Sequence, residues 1–374
     1  MRARAVTLIR IAGIPIRCHW SWVAMLALLM PLLYWLYQPQ AGVVGGWVLA
    51  GAAALLLSVS VVLHELGHAL VARRYGQAVS GMTLFALGGA TELTDAPPLP
   101  VRDFLVAMAG PLVSVVLAVL FVLAWWLLPL PMLAMLFLHL ALTNGVMALF
   151  NLLPGYPLDG GRMLWAVLCF LTDDALGAAR IAALAGRICG WLLLLAGMLY
   201  TFSVGDALNG VGITLLGYFL TRQATMAYRR FVVQHAFYNV QVHDVMQRVF
   251  RAVAPELPLD QFVGRYVLGQ TDQGFPVLLA PEAEAPQPLL GMMTVRNLRQ
   301  FQFNEWARTQ VGEAMTPLHR LPTLLPEMPA GEAFRTLLES GEEQLPVIKG
   351  AVLLGVLRRR DLFGYIERQG QPLR

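Results

Sequence analysis

The chain has 374 residues, 57% of them hydrophobic and only 13% charged, where an ordinary globular domain carries about 25% charged residues. That composition excludes an ordinary soluble protein and puts much of the chain in a bilayer. The formal net charge of +4 is nearly all arginine, with Lys349 the lone lysine, and it offers no nucleic-acid surface. Cys18, Cys169 and Cys189 are scattered without C-x-x-C spacing, as befits small core residues rather than a disulfide or metal framework.

In chain order, Arg2, Arg4, Arg10 and Arg17 precede a first apolar run over 19–37. With no convincing cleavage site, this run reads as an anchor and not as a removed signal peptide. Further runs of bilayer length, about 20 residues each, cover 43–72, 104–128, 132–152, 178–202 and 207–225. The pattern predicts six spans. Arg73, Arg74 and Arg102 lie between the second and third, Arg162 after the fourth, and Arg222, Arg229 and Arg230 after the sixth, while Arg180 and Arg187 sit early in the fifth. The opposite loops, 38–42, 129–131 and 203–206, contain no Lys or Arg, so the positive-inside rule puts both termini in the cytoplasm.

The second run carries one polar interruption, His64-Glu65-Leu66-Gly67-His68. On a helix the two histidines are one turn apart and share a face, with Glu65 beside them. Two imidazoles can hold zinc there, and Glu65 is close enough to handle a proton on a metal-bound water. A chance match in a core helix is the bland alternative, but ionisable groups in bilayer-length apolar sequence are costly and usually functional.

Between the second and third runs, 80–93 is apolar, too short to span, and carries Gly88-Gly89, which fits a hairpin or re-entrant segment. Its functional reading is an edge that pairs with an extended substrate backbone, which makes Thr83, Leu84, Phe85, Gly88 and Gly89 candidate substrate-binding residues. The Ala109-Gly110-Pro111 step in the third run reads as a small-residue contact or kink. Asn144, in the fourth, reads as an interhelical hydrogen bonder. After the fourth run, Pro154, Pro157, Gly160 and Gly161 break the helix around Asp159 at about the depth of the histidine pair. A carboxylate is a usual third zinc ligand, and capping of the following helix is the ordinary alternative for this Asp.

Six spans, H-E-L-G-H in the second, a G-G hairpin after it, and Asn151-x-x-Pro154-x-x-Pro157-x-Asp159-Gly-Gly-Arg162 after the fourth resemble the site-2 protease family of intramembrane zinc metalloproteases. The stretch from Ala12 to Trp22 also looks like that family's usual lead into the first span. The resemblance covers about 8–225. It implies one zinc per chain on His64, His68 and Asp159, with Glu65 as catalytic base and Asn151 positioning the substrate or its oxyanion. Transmembrane proteins or peptides in the lipid bilayer are the implied substrates. There is no room between the spans for the peptide-binding insert that some relatives carry. A catalytically silent binding protein is disfavoured by the complete set of base and ligands, and a transporter by the lack of an inverted repeat or broken-helix pair.

The composition changes at about 229. The first domain is therefore expected over 1–228 and a cytoplasmic domain over 229–374. That tail repeats weakly, over about 240–302 and 309–370: Val242-His-Asp-Val-Met246 recurs as Val311-Gly-Glu-Ala-Met315, and Phe275-Pro-Val as Leu345-Pro-Val, with Gly291 and Gly355 following. The repeat of helix and strand units resembles a tandem cystathionine-beta-synthase (CBS) pair. The expected fold is thus an α-helical multi-pass membrane domain followed by an α/β tandem CBS domain. The resemblance implies an adenine nucleotide held by a Ser/Thr and an Asp three residues on, yet Thr294 is followed by Asn297, and Asp361 is preceded by Arg358. Thr294 and Asp361 are the candidate nucleotide ligands. The alternative is a ligand-free module for docking or for a homodimer through the CBS domains. Arg358, Arg359 and Arg360 read as a solvated or headgroup-facing patch.

Overall fold

The structure, a computed structural model, describes residues 5–86, 88–93, 99–128, 130–268, 272–281 and 287–368. Arg2, Arg4, Pro129 and residues 369–370 at the end of the second tail repeat lie outside them. The chain divides into two compact units, Met1–Arg229 and Arg230–Arg374.

The first unit opens with a hairpin, β1 (Val6–Ile11) and β2 (Ile14–Cys18), turned through Ala12 and Gly13, both at positive φ as tight hairpins require. Helix α1 (Trp20–Arg74) follows, its N-terminus capped by the His19 ring. It is helical throughout save at Gly42, where φ is 70° and ψ −177°. The chain reverses there. Tyr34 stacks on Trp47 with ring centroids 4.5 Å apart, whereas thirteen residues of unbroken helix would separate them by about 20 Å. Leu33 and Tyr37 share one buried cluster with Leu49, Ala50 and Ala53, so 20–41 and 43–74 are two limbs packed on each other.

Strands β3 (Val79–Phe85) and β4 (Gly88–Leu93) form an antiparallel hairpin, and β2 pairs in parallel with β3 to give a four-stranded sheet ordered β1-β2-β3-β4. The sheet packs Ile14, Ile16 and Met82 against Leu66 and Ala69 of α1, the first between the two histidines and the second directly after them. Helices α2 (Pro100–Leu127), α3 (Pro131–Asn151), α4 (Asp159–Thr172), α5 (Ala175–Val204) and α6 (Ala207–Ala236) complete the unit. Every predicted span is therefore helical. By length and composition, four helices among the described residues (α1, α2, α3 and α5) are long and apolar enough to cross a membrane, α1 doubling back on itself. Asn144 donates to Ser60 Oγ across α3 and α1 at 3.2 Å, the interhelical bond expected of it.

The second unit holds short helices α7 (Val242–Val245), α8 (Leu259–Phe262), α9 (Val295–Leu298) and α10 (Val311–Ala314), with the longer α11 (Ala330–Ser340) and α12 (Arg359–Arg368). Its strands are β5 (Gly274–Val277), β6 (Gly291–Thr294), β7 (Thr316–Pro317), β8 (Gln344–Lys349) and β9 (Val352–Arg358). The two repeats are reciprocally joined. Residues 316–317, which lead into the second repeat's body, pair with β6 of the first, while Gln247 of the first bridges Val356 in β9 of the second. A Cβ on Gly291 would lie 2.4 Å from Thr316 O and 2.9 Å from Met315 Sδ. One on Gly355 would lie 2.7 Å from Gln247 O and 3.0 Å from Met246 Sδ. Each repeated glycine thus makes room for the repeated methionine of the other half.

Candidate metal centre

His64 and His68 are both buried on one face of α1, as the i, i+4 spacing demands. Their Nε2 atoms lie 3.3 Å apart, and each is 3.3 Å from Asp159 Oδ2. The carboxylate arrives from the start of α4, after the Pro154–Pro157 turn ends α3; that turn is fixed to α5 by Tyr156 N–H donating to Ala182 O at 3.0 Å. These three are the one group of potential metal ligands found among the described residues.

The triangle of donors has the dimensions of a zinc site. A tetrahedral ion with N and O ligands at about 2.0–2.1 Å separates neighbouring ligand atoms by about 3.3–3.4 Å. All three observed edges match. The outer ring nitrogens are also committed. His68 Nδ1 is 2.7 Å from Val106 O, which only accepts, so that nitrogen carries the proton and Nε2 presents its lone pair. His64 Nδ1 is 2.8 Å from the buried Ser114 Oγ, which accepts when Nε2 is the ligand. Three lone-pair donors converging in a buried site suit a cation and little else.

One face of α2 forms the wall behind them. Val106, Gly110 and Ser114 are spaced i, i+4, i+8, the outer two holding the imidazoles and the middle one leaving them space. A Cβ on Gly110 would stand 2.1 Å from His68 Nε2 and 2.7 Å from His64 Nε2. The step that reads as a mere kink in sequence is the floor of the site. Ser114, an isolated hydroxyl one turn from Gly110, was the signal available, while Val106 contributes only its carbonyl and leaves no trace in sequence.

Glu65 is half-buried beside the histidines and lies beneath β4. A Cβ on Gly89 would be 2.3 Å from Glu65 Cγ, so the glycine lets the strand approach the carboxylate. Thr91, two residues on and on the same face, donates to Glu65 Oε2 at 2.7 Å. Asn151 ends α3, half-buried, and is joined by no hydrogen bond to the three donors among the described residues.

The hairpin needs one correction. Thr83 and Leu84 cannot receive an extended peptide, because β3 is an inner strand: Arg17 and Cys18 pair with them on one edge, Ala90 and Gly89 on the other. Phe85 lies at the end of β3, its ring 5.4 Å from His19. Of the two hairpin strands, β4, with Gly88 and Gly89, is the one at an edge of the sheet, the other edge being β1.

In the second unit Thr294 Oγ1 is engaged by Asn297 Oδ1, and Asn297 donates onward to Thr316 Oγ1 at 3.1 Å. Asp361 Oδ2 is buried without a hydrogen-bond partner. The three arginines are ion-paired, and of the three Arg360 remains exposed. Arg358 and Arg360 both pair with Asp272, at 3.2 and 2.6 Å, and Arg359 pairs with Glu343 at 3.1 Å.

The profile of peptidase family M50 matches residues 52–131, and that of the CBS domain residues 311–368. A protein of Mycobacterium tuberculosis named as zinc metalloprotease Rip3 is 32% identical over 394 residues, spanning 98% of this chain and 95% of its own. One named as a zinc metalloprotease of Synechocystis is 29% identical, over 94% and 92% of the two chains. The solved structure of a site-2 protease from Methanocaldococcus jannaschii aligns with a TM-score of 0.44 and 27% identity, covering 60% of this chain and 95% of that one.

Proposed function

Since the chain belongs to peptidase family M50, the site-2 proteases, and is a zinc-dependent membrane metalloprotease with a C-terminal CBS domain, we propose that it cleaves peptide bonds within or near the transmembrane segments of other membrane proteins. The observation that carries this reading is the triangle of His64, His68 and Asp159 donors with Glu65 at its side. These three residues hold the zinc and Glu65 is the base.

Zinc, when bound, acidifies a water and polarises a carbonyl. Glu65 accepts the proton of the attacking water and returns it to the leaving amine. Asn151 supplies an amide donor for the oxyanion, in the role its motif implies. Ser114 and Val106 keep both imidazoles in the ligating tautomer. A substrate helix hides its carbonyls in i to i−4 bonds, so it must unwind before attack. The open edge of β4, which runs directly over Glu65, offers replacement hydrogen bonds to the unwound strand.

Six spans with both termini in the cytoplasm fit the arginine distribution and the helical state of every apolar run. The histidines then lie in the cytoplasmic half of the bilayer. Substrates are single-span proteins whose outer part has already been trimmed. Regulation through the CBS pair is the natural role for a tail that carries none of the proposed catalytic residues.

The test pairs zinc stoichiometry with cleavage of a single-span membrane substrate, for wild type and Glu65→Gln. One zinc in both and cleavage in wild type alone is the expected outcome. Metal-free wild-type protein would sink the proposal.

A further inference from the structure

On the reading of Glu65 as the base, we propose that Thr91 is its positioning residue: the threonine hydroxyl on β4 fixes the orientation of the carboxylate through Oε2. The helix does not fix that carboxylate by itself. Glu65 sits one residue past His64, about 100° around α1 from it, on a side chain with three rotatable torsions. On α2, Val106 and Ser114 are engaged by the histidines, and the one hydroxyl bonded to the Glu65 carboxylate among the described residues is that of Thr91.

Strand β4 supplies what is missing. Thr91 Oγ1 donates to Oε2 at 2.7 Å, and lies 3.3 Å from the Glu65 carbonyl. A hydroxyl has one proton, and the shorter contact takes it. Gly89, on the same face two residues earlier, closes over the side chain, where an added Cβ would lie 2.3 Å from Cγ, 2.8 Å from Cδ and 3.0 Å from Oε1. The carboxylate is thereby held against β4, Oε2 by the hydrogen bond from Thr91 and the rest of the group by the close approach of Gly89.

Thr91 is itself held in place. It pairs with Met82 in the sheet, and its neighbour Glu92 accepts from Arg17 at 2.9 Å, from Ser80 at 3.2 Å and from Thr83 at 3.3 Å. Four residues on β2 and β3 thus brace the strand that orients the base. Because β4 is also an edge strand, a peptide added to it tightens the same strand that holds Glu65.

The experiment uses the full chain in detergent or nanodiscs with a single-span substrate, comparing wild type, Glu65→Gln, Thr91→Val and Thr91→Ser. Valine matches the shape of threonine but cannot donate, while serine keeps the hydroxyl. The expected result is a kcat lowered about 10- to 100-fold in Thr91→Val, the usual effect of losing an orienting partner, with KM and zinc content unchanged. Thr91→Ser should recover most of the rate. A second readout is the infrared carboxylate band of Glu65, isolated as wild type minus Glu65→Gln, which should shift in Thr91→Val and not in Thr91→Ser. Wild-type kcat in Thr91→Val, equal impairment in both variants, or an unshifted band would overturn the role of Thr91 while leaving the protease reading intact. An inactive wild type would instead remove the premise that Glu65 is a base.

Discussion

Gly110→Ala tests the metal centre most directly, because the change lies on a helix that donates no side chain to the proposed ion. The new methyl carbon would stand 2.1 Å from His68 Nε2, where ordinary contact begins at 3.4 Å, so the ring or the helix must give by 3.4 − 2.1 = 1.3 Å. A zinc ligand tolerates displacements of about 0.2 Å. The mismatch is several-fold, and His64 Nε2, at 2.7 Å from the same carbon, cannot compensate. Rotating His68 away would also break its bond to Val106 O. Overpacking of this kind costs about 1–3 kcal/mol in a well-packed core. The larger effect is on the ion: with one imidazole displaced, zinc affinity should fall by at least about 100-fold, beyond the usual loss for an outer-sphere partner. Competition against a chelator of known affinity, on protein whose helicity matches wild type, measures it. Gly110→Ala protein that kept full stoichiometry and wild-type affinity would refute the assignment of these nitrogens as ligands.

Two further outcomes follow from the same contacts. Ser114→Ala removes the partner of His64 Nδ1 without adding bulk, and should weaken zinc about 10- to 100-fold in the same competition assay; unchanged affinity would mean that the hydroxyl does not orient the ring. In the second unit, burial raises the Asp361 carboxyl, against the opposing pull of Arg358 and Arg360. A raised acid binds its proton more tightly in the folded state, so its ionisation lowers stability as pH climbs from about 4, the unfolded carboxylate range. Asp361→Asn should therefore stabilise that unit at pH 7, with the gain vanishing under acid, as read from hydrogen exchange of the β8 and β9 amides across pH.

The parts of the centre that were legible in sequence are those whose geometry is local. His64 and His68 announce themselves because one helical turn brings i and i+4 together whatever surrounds them, and Asp159 because proline and glycine mark the end of α3 just before it. The wall formed by Val106, Gly110 and Ser114 was not legible: which face of α2 meets α1 is decided by packing, and a carbonyl acceptor has no residue type. The joining of β2 to the later hairpin escaped for a related reason. Strand β2 joins β3 across more than sixty residues, and such a parallel pairing has no turn signal to betray it. The partly buried pairing of Arg358 was not legible because its partner, Asp272, lies far away in sequence.

The exchange of Met246 and Met315 between the two tail repeats has a consequence for how such a tail can be gained or lost. Each repeat leaves a gap at its own glycine that only its sibling fills, and each lends out the segment that fills the other. A lone copy would have both a hole in its sheet and a loose leading segment with nowhere to lodge. Genetic events that duplicate or delete this region are therefore tolerated in pairs, and the heritable module is the doublet.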